Sequence, residues 1–488
     1  TVALTTNPIT PDPIRSTSVS TRILAAHIFE SLATYDENYR VMPQLAESWE
    51  HSEDLKEWTF HLREGVTFHD GSEMSAEDVK ASIDRFIESG ARKEDFSYVD
   101  EVQIVDQYTV KITTSRPVGT LPQTIANPAT ILAIIPKEIC EENMEQEIDS
   151  DEAIGTGPYE LVTYSPDVEF VLERFEDYSP TTSQSATGLG GERIAYFEKV
   201  IFKPVPESSS RVAGLETGEY DMAQDIPYTS YRRLREAEKV ETSIVKPKWG
   251  IMLELNHTNT LKDLKIRRAI QVGLNMEQIM EVVTEGREEF YRLQPGYWAP
   301  EISRWHSKAG AEYYNVADKE RAKELLDEAG YDGEKVTIIS NRDYSWMYKT
   351  TLAVVPQLKE MGINAEAKFY DWTGQLEIAR SLEGYDINQS GWSSRIPPSA
   401  INVMLKCGSM NAYGYCNPEV DELLDRASET PDPQERADLY EKVQEMMYED
   451  VAKIRIGDLF TLEATASNLE GYESWYVIPR MWNVWREG

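Results

Sequence analysis

No single hydrophobic core can absorb this chain. At 488 residues it exceeds the roughly 250–300 residues beyond which surface-to-volume scaling splits a polypeptide into separate domains. Two or three domains are expected. The apolar material to build them is present: 41% of residues are hydrophobic, 10% are aromatic, and the 11 Trp spread from Trp49 to Trp485, which argues against disorder. No run of 18 apolar residues occurs, the longest being the short stretch around Ala129 to Pro136, so no transmembrane helix is expected. The 85 Asp+Glu against 49 Lys+Arg leave a formal charge of -36. Such a balance repels phosphate backbones and anionic lipid at long range, and nucleic acid is not expected as a partner. The same charge suits a salt-rich habitat and an ordinary secreted surface alike.

Along the chain, an apolar helical face from Leu24 to Val41 is expected to run into a turn at Asp36 and Asn38. The run WTFHLREGVTF then reads as a hairpin, with Trp58, Phe60 and Leu62 alternating, Glu64-Gly65 as the turn, and Val66 and Phe68 resuming the period of two. Ser75 followed by Asp78 is a capping-box pattern that opens a helix with Val79, Ile83, Phe86 and Ile87 on one face. Val102 and Ile104 pair with Val110 and Ile112 across Asp106-Gln107, which makes residues 34–154 a compact α+β unit. Strand candidates GTGPYELVTY, VEFVLERF and KVIFKPVP follow, separated by the Ser/Thr/Gly-rich loop 181–191. From Trp249 onward strands alternate with helices, the pattern of a sheet with crossover helices. One helix begins at Asp318 and stops at Gly330, the next runs from Trp346 to Met361 and stops at Gly362, and two more lie near 418–428 and 433–449. No repeat of 20 to 50 residues is present, which disfavours a solenoid.

The three cysteines leave two readings. Cys407 and Cys416 lie nine apart in a Gly/Asn/Tyr-rich loop and form a disulfide in one; in the other they and Cys140, which sits in an acidic helical segment, are all reduced.

The stretch PQLAESWEHSEDLKEWTFHLREGVTFHDGSEMSAEDVKASIDRF, residues 43–86, resembles the signature region of the family 5 extracellular solute-binding proteins of ABC importers, the peptide/opine/nickel-binding class. GTGPYEL at 155–161, LETGEYDMA at 215–223, IRRAIQVGLNMEQI at 266–279, ADKERAKELLDEAGYDG at 317–333 and NPEVDELLDRA at 417–427 continue the likeness in the family's order. The resemblance implies an α/β, two-lobed periplasmic-binding-protein fold of type II with an extra α+β subdomain and a hinge of two strands. Lobe I would comprise 1–33, 155–247 and 459–488, the extra subdomain 34–154, and lobe II 248–458. The hinge strands would lie near Lys248 to Asn256 and Ile454 to Leu459. It further implies a monomer, exported to the periplasm or cell exterior, that closes on a small solute and delivers it to a transmembrane permease. The chain starts at Thr1 without Met, the form of a processed or engineered N-terminus.

Site residues follow from the same likeness. SGWSSRIPPSA, residues 390–400, matches the family's Gly-Trp pocket segment, with Trp392 as an apolar wall and Ser393 and Ser394 as donors. Peptide-binding relatives carry an Asp three residues after that Trp to hold the ligand's α-amino group; this chain has Arg395. A guanidinium suits carboxylate or phosphate, so the expected ligand carries an anionic group. The alternative is that Arg395 pairs with Asp371 or Asp386. Trp249, Trp372, Tyr344 and Trp346 are candidate ligand aromatics, set against ordinary core packing. Ser16, Thr17 and Ser18, where the family's N-terminal segment approaches the ligand, and Asn411 and Tyr413 in the cysteine loop complete the set.

An enzyme is not expected. There is no G-x-S-x-G elbow, H-E-x-x-H or P-loop, and GTGPYE lacks the third glycine of a dinucleotide motif. With so many carboxylates, a chance pair within catalytic distance carries no signal. The six His have no ligand spacing; His61 and His69 share a strand parity but read as solvated, so neither metal nor cofactor is expected. A hydrolase of a small acidic substrate and a peptide-holding, chaperone-like protein are the competing classes.

Overall fold

The computed structural model describes residues 1–129, 131–181, 186–393 and 398–487. The chain divides into two compact units, Thr1–Val245 with Leu462–Gly488, and Lys246–Thr461. Division therefore falls at 245/246 and 461/462, against 247/248 and 458/459 from the sequence.

In the first unit, strand Val2–Leu4 is wholly buried between two parallel neighbours, with Val2 opposite Phe202 on one side and Met222 on the other. Strands Lys199–Pro204, Glu169–Arg174 and Tyr159–Ser165 extend the sheet antiparallel on one side. On the other side Met222–Ile226 pairs with Leu462–Thr465 of the long strand Lys453–Ala466. A separate four-stranded sheet in this unit has the order Ala46–His51, Glu57–Leu62, Thr109–Thr114, Val99–Asp106. Trp58, Phe60, Val110 and Ile112 are buried in it, and helix Ala76–Ser89 buries Val79, Ile83 and Phe86. That helix starts on the expected capping box, Ser75 N–H donating to Asp78 Oδ2 at 2.8 Å and Glu77 N–H to Ser75 Oγ at 3.2 Å.

Two local expectations need correcting. Val66 and Phe68 do not pair back onto Trp58–Leu62, because both edges of that strand are taken by Ala46–His51 and Thr109–Thr114. They fold instead onto 72–74, with Phe68 N–H donating to Ser72 O and Met74 N–H to Val66 O. The helix expected from Leu24 ends at Ile28, and Ala33–Tyr35 is a strand paired with Val41–Pro43. Residues 23–35 are all buried, so helical periodicity carried no information there.

In the second unit, Lys335–Asn341 pairs in parallel with Asn364–Tyr370 across helix Ser345–Glu360, the expected crossover. It also pairs in parallel with Ile387–Ser393, which runs antiparallel to the long strand Val240–Leu255 from Trp249↔Ser393 to Leu255↔Ile387. Helices Lys319–Ala329, Pro418–Glu429 and Pro433–Glu449 start on Asp318, Asn417 and Asp432, whose side chains accept first-turn N–H groups as capping requires. Cys407 and Cys416 are joined as a disulfide, and Cys140 is a buried thiol. Among the described residues no helix is long and apolar enough to cross a membrane.

One buried group makes stability depend on pH. His27, on helix Val19–Ile28, is fully buried against Tyr159, Phe202 and Trp482. Its Nδ1–H donates to Ile23 O at 2.7 Å and its Nε2 accepts Met481 N–H at 3.1 Å, the bonding of a neutral ring. Burial pulls its pKa down to about 3. An unfolded His titrates near 6.5, so the contribution is complete above that pH and is lost as pH falls from about 6.5 toward 3. His27→Gln should flatten stability against pH between about pH 6 and 4 by up to about 1.4 kcal/mol per pH unit, measured by urea unfolding. An unchanged slope would mean that His27 is not held neutral.

Candidate functional site

Two glycines on neighbouring strands of the second unit set the geometry around Trp392. Residues directly opposite in an antiparallel pair share a face, so Gly250 lies on the Trp392 face while Gly391 and Ile251 lie on the other. The space a Cβ would take at Gly250 is filled by the Arg455 guanidinium. At Gly391 it is filled by the Trp346 indole, whose Cη2 would stand 2.8 Å from such a Cβ.

The Trp392 face is buried and charged. Trp392 is 3% exposed, and its Nε1–H donates to Glu254 Oε1 at 2.8 Å. Glu254 is ion-paired with Lys453, both being at most 2% exposed. The Lys453 ammonium also donates to Asn411 O at 3.3 Å and lies 5.7 Å and 5.1 Å from the Trp392 and Tyr413 ring centres. Tyr297 packs on Trp392, and its hydroxyl donates to Lys453 O at 3.1 Å. Trp392, Asn411 and Tyr413 are thus gathered about one ammonium group, with Tyr413 5% exposed in a cluster with Ile339, Ala379 and Tyr385. Farther along the same strand, buried Asp458 accepts from Arg455, from Arg292 at 2.7 Å and from Gln294 at 3.2 Å, and Arg292 makes a bidentate pair with Glu301 at 2.7 and 2.8 Å.

A contiguous row of rings starts on the opposite face, at Trp249 and Trp346. Trp249 and Trp346 stack at 5.7 Å with 26° between planes, Tyr344 lies 6.4 Å from Trp346, and Trp372 meets Tyr344 edge-on at 5.5 Å. Tyr344 is 38% exposed and the three Trp are half-buried. Polar contacts hold the row: Asn341 Oδ1 accepts Tyr344 N–H at 2.9 Å and Asp343 Oδ2 accepts Trp372 N–H at 2.7 Å. From Asn341 buried amides run on through Gln375 to Asn388, each link 2.6 Å. Rigid, partly exposed aromatics offer contact area at little entropic cost.

The remaining expected residues are placed as follows. Ser393 pairs through its backbone with Trp249, while Ser394 and Arg395 lie outside the described residues. Asp371 caps helix Trp372–Ser381 by accepting Gly374 N–H at 2.7 Å. Asp386 accepts Thr337 N–H at 2.9 Å, and burial pushes its pKa up. In the first unit, Ser18 N–H donates to Ser16 Oγ at 3.1 Å and the Ser18 and Ser20 hydroxyls are 2.9 Å apart. His61 and His69 are both partly exposed, and the His69 ring also bonds to Gly155 N–H and Gly157 O. Among the described residues no group of three His, Cys, Asp or Glu is placed to hold a metal ion.

Sequence reasoning missed Glu254, Lys453, Arg455 and Asp458. In KIRIGDLF the charges alternate with Ile454 and Ile456, which reads as an ordinary solvated strand face. Glu254→Gln alone should leave the Lys453 ammonium buried and unpaired and cost about 3–5 kcal/mol, whereas the double change with Lys453→Met should cost clearly less. Urea unfolding checks this; a double variant as unstable as the sum of the singles would show that the pair is not coupled.

Comparison with known proteins fits this arrangement. The glutathione-binding protein GsiB of Salmonella paratyphi A is 27% identical over 499 aligned positions, covering 96% of this chain and 91% of that protein. Two solved structures share the fold: the binding protein AgaA from A. tumefaciens R10 in complex with agropinic acid, at TM-score 0.82 and 22% identity over 100% of this chain and 98% of that one. The other is the periplasmic binding protein DppA of Helicobacter pylori with the peptide STSA, at TM-score 0.80 and 22% identity over 100% and 98%. These relatives are binding proteins of transport systems and not enzymes, and the fold is the α/β fold of periplasmic binding proteins. The model of the bacterial extracellular solute-binding proteins, family 5, matches residues 40–413, and the chain belongs to that family.

Proposed function

We propose that this chain is the extracytoplasmic receptor of an ABC importer, binding a small peptide-like or opine-like solute with a free anionic group and passing it to a permease. The observation that carries the reading is the ring row Trp249–Trp346–Tyr344–Trp372 of the second unit. A half-exposed aromatic surface held by buried amides is suited to grip a flexible solute. Arg395, in the place of the Asp that peptide-binding relatives use for an amine, supplies the anionic preference. GsiB is named for glutathione and AgaA is seen with agropinic acid; both compounds are carboxylic acids.

The proposed mechanism is closure of the two units about the strands Val240–Leu255 and Lys453–Ala466, the two places where the chain passes from one unit to the other. A ligand that contacts both units only in a closed form biases that equilibrium, and moving it from mostly open to mostly closed takes about 5.5 kcal/mol of differential binding. In a thermal-shift screen of peptides, opines and their amides, one class of free acid should stabilise the protein by about 2.7 kcal/mol at 100 times its dissociation constant. Small-angle scattering with that solute should show a smaller radius of gyration, and Trp346→Ala should weaken binding at least about tenfold. Tight binding that Trp346→Ala leaves unchanged, or scattering that no stabilising solute alters, would contradict the reading.

A further inference from the structure

Among the described residues, the first unit contains a guanidinium that no carboxylate pairs with within salt-bridge distance. Arg22 sits in the first turn of helix Val19–Ile28. Among the described residues its hydrogen bonds are two from Nη2 to backbone carbonyls, Ala129 O at 3.0 Å and Thr17 O at 3.4 Å, and its Cζ lies 5.8 Å from the centre of the Tyr476 ring. Among the described residues, Nε and Nη1 have no protein acceptor. Burial lowers its pKa, and a second cation, Arg92, lowers it further. On a chain of net charge -36, a half-buried guanidinium without an acidic partner is unusual, because such a charge is costly until a counter-charge joins it.

Its surroundings are built for a small acceptor. Pro13, Ser16, Thr21, Ala129 and Ile131 line a pocket with Arg22, whose free volume of about 10 Å³ is the size of one oxygen atom rather than a whole molecule. One wall residue is strained: Ile131 holds φ at +40°. For a β-branched residue that conformation persists only where the surrounding structure imposes it, and it gathers at ligand sites.

We propose that Arg22 is a carboxylate-binding group of the first unit, its Nε and Nη1 edge taking a solute carboxylate with one oxygen seated in the pocket beside Ser16. This rests on the solute-binding reading above for the identity of the ligand, and it adds a second anion contact, on a different unit from Arg395.

The test uses the full chain, with glutathione, its diamide and sodium acetate as probes at constant ionic strength, followed by calorimetry and thermal shift. Arg22→Gln should fold, by circular dichroism, yet bind glutathione about 10- to 100-fold more weakly and lose the preference for acid over diamide, while Arg22→Lys retains part of both. The acetate response should vanish in Arg22→Gln. Equal acid preference in Arg22→Gln and the parent overturns the proposal, as does the absence of any Arg22-dependent response to both acetate and glutathione. An Arg22-dependent acetate response without binding of any peptide or opine keeps the subsite and removes the solute reading. Peptides bound equally by both proteins do the reverse.

Discussion

The second unit is organised around a carboxylate and an ammonium that water does not reach. Glu254 and Lys453 sit on Val240–Leu255 and Lys453–Ala466, and their pairing is what lets Trp392, Tyr297, Tyr413 and the backbone of Asn411 converge on one point. Burying such a pair brings little net stability compared with an apolar equivalent, but once the charges are inside, each group that touches them is committed to one position. The Arg455–Asp458–Arg292–Glu301 network does the same for the next turn of strand, and Gly250 is required there because Arg455 takes up its side-chain space.

That commitment has a consequence on the opposite face. With Trp392 fixed toward the charges, Gly391 faces the other way, and its missing side chain admits Trp346 against the strand, where it stacks on Trp249. The half-exposed Trp249–Trp346 stack therefore stands on a sheet whose other face is locked by ion pairs. Rigid support beneath a contact surface is what binding without loss of order requires.

Much of this fold was legible in the residues. The helix that begins on Asp318 and stops at Gly330 was bounded to within a residue or two, because capping is local chemistry. The ordered landmarks from LAESWE to NPEVDELLDRA likewise pointed to family 5. Partner choice was not legible: whether Val66–Phe68 pairs with Trp58–Leu62 depends on which strands have already occupied its edges. The buried charges were hidden for a related reason, since period-two alternation of Lys453 and Arg455 with Ile454 and Ile456 looks the same whether its polar face meets water or Glu254 and Asp458. The aromatic candidates Trp249, Tyr344, Trp346 and Trp372 were named one by one, and their contiguity is a property of the fold alone. Arg22 carried no sequence signal, because the missing acid around it is a fact of three dimensions.

Family membership and the ring row are the ground on which the proposed receptor for a single small acid stands. Native mass spectrometry of the full chain, taken through purification without denaturation and then titrated with free peptides and opines, addresses this most directly. The account predicts one solute per chain, carrying at least one carboxylate and released on unfolding. A protein that takes up no such compound at millimolar concentration, or that takes up several copies without saturation, would contradict it.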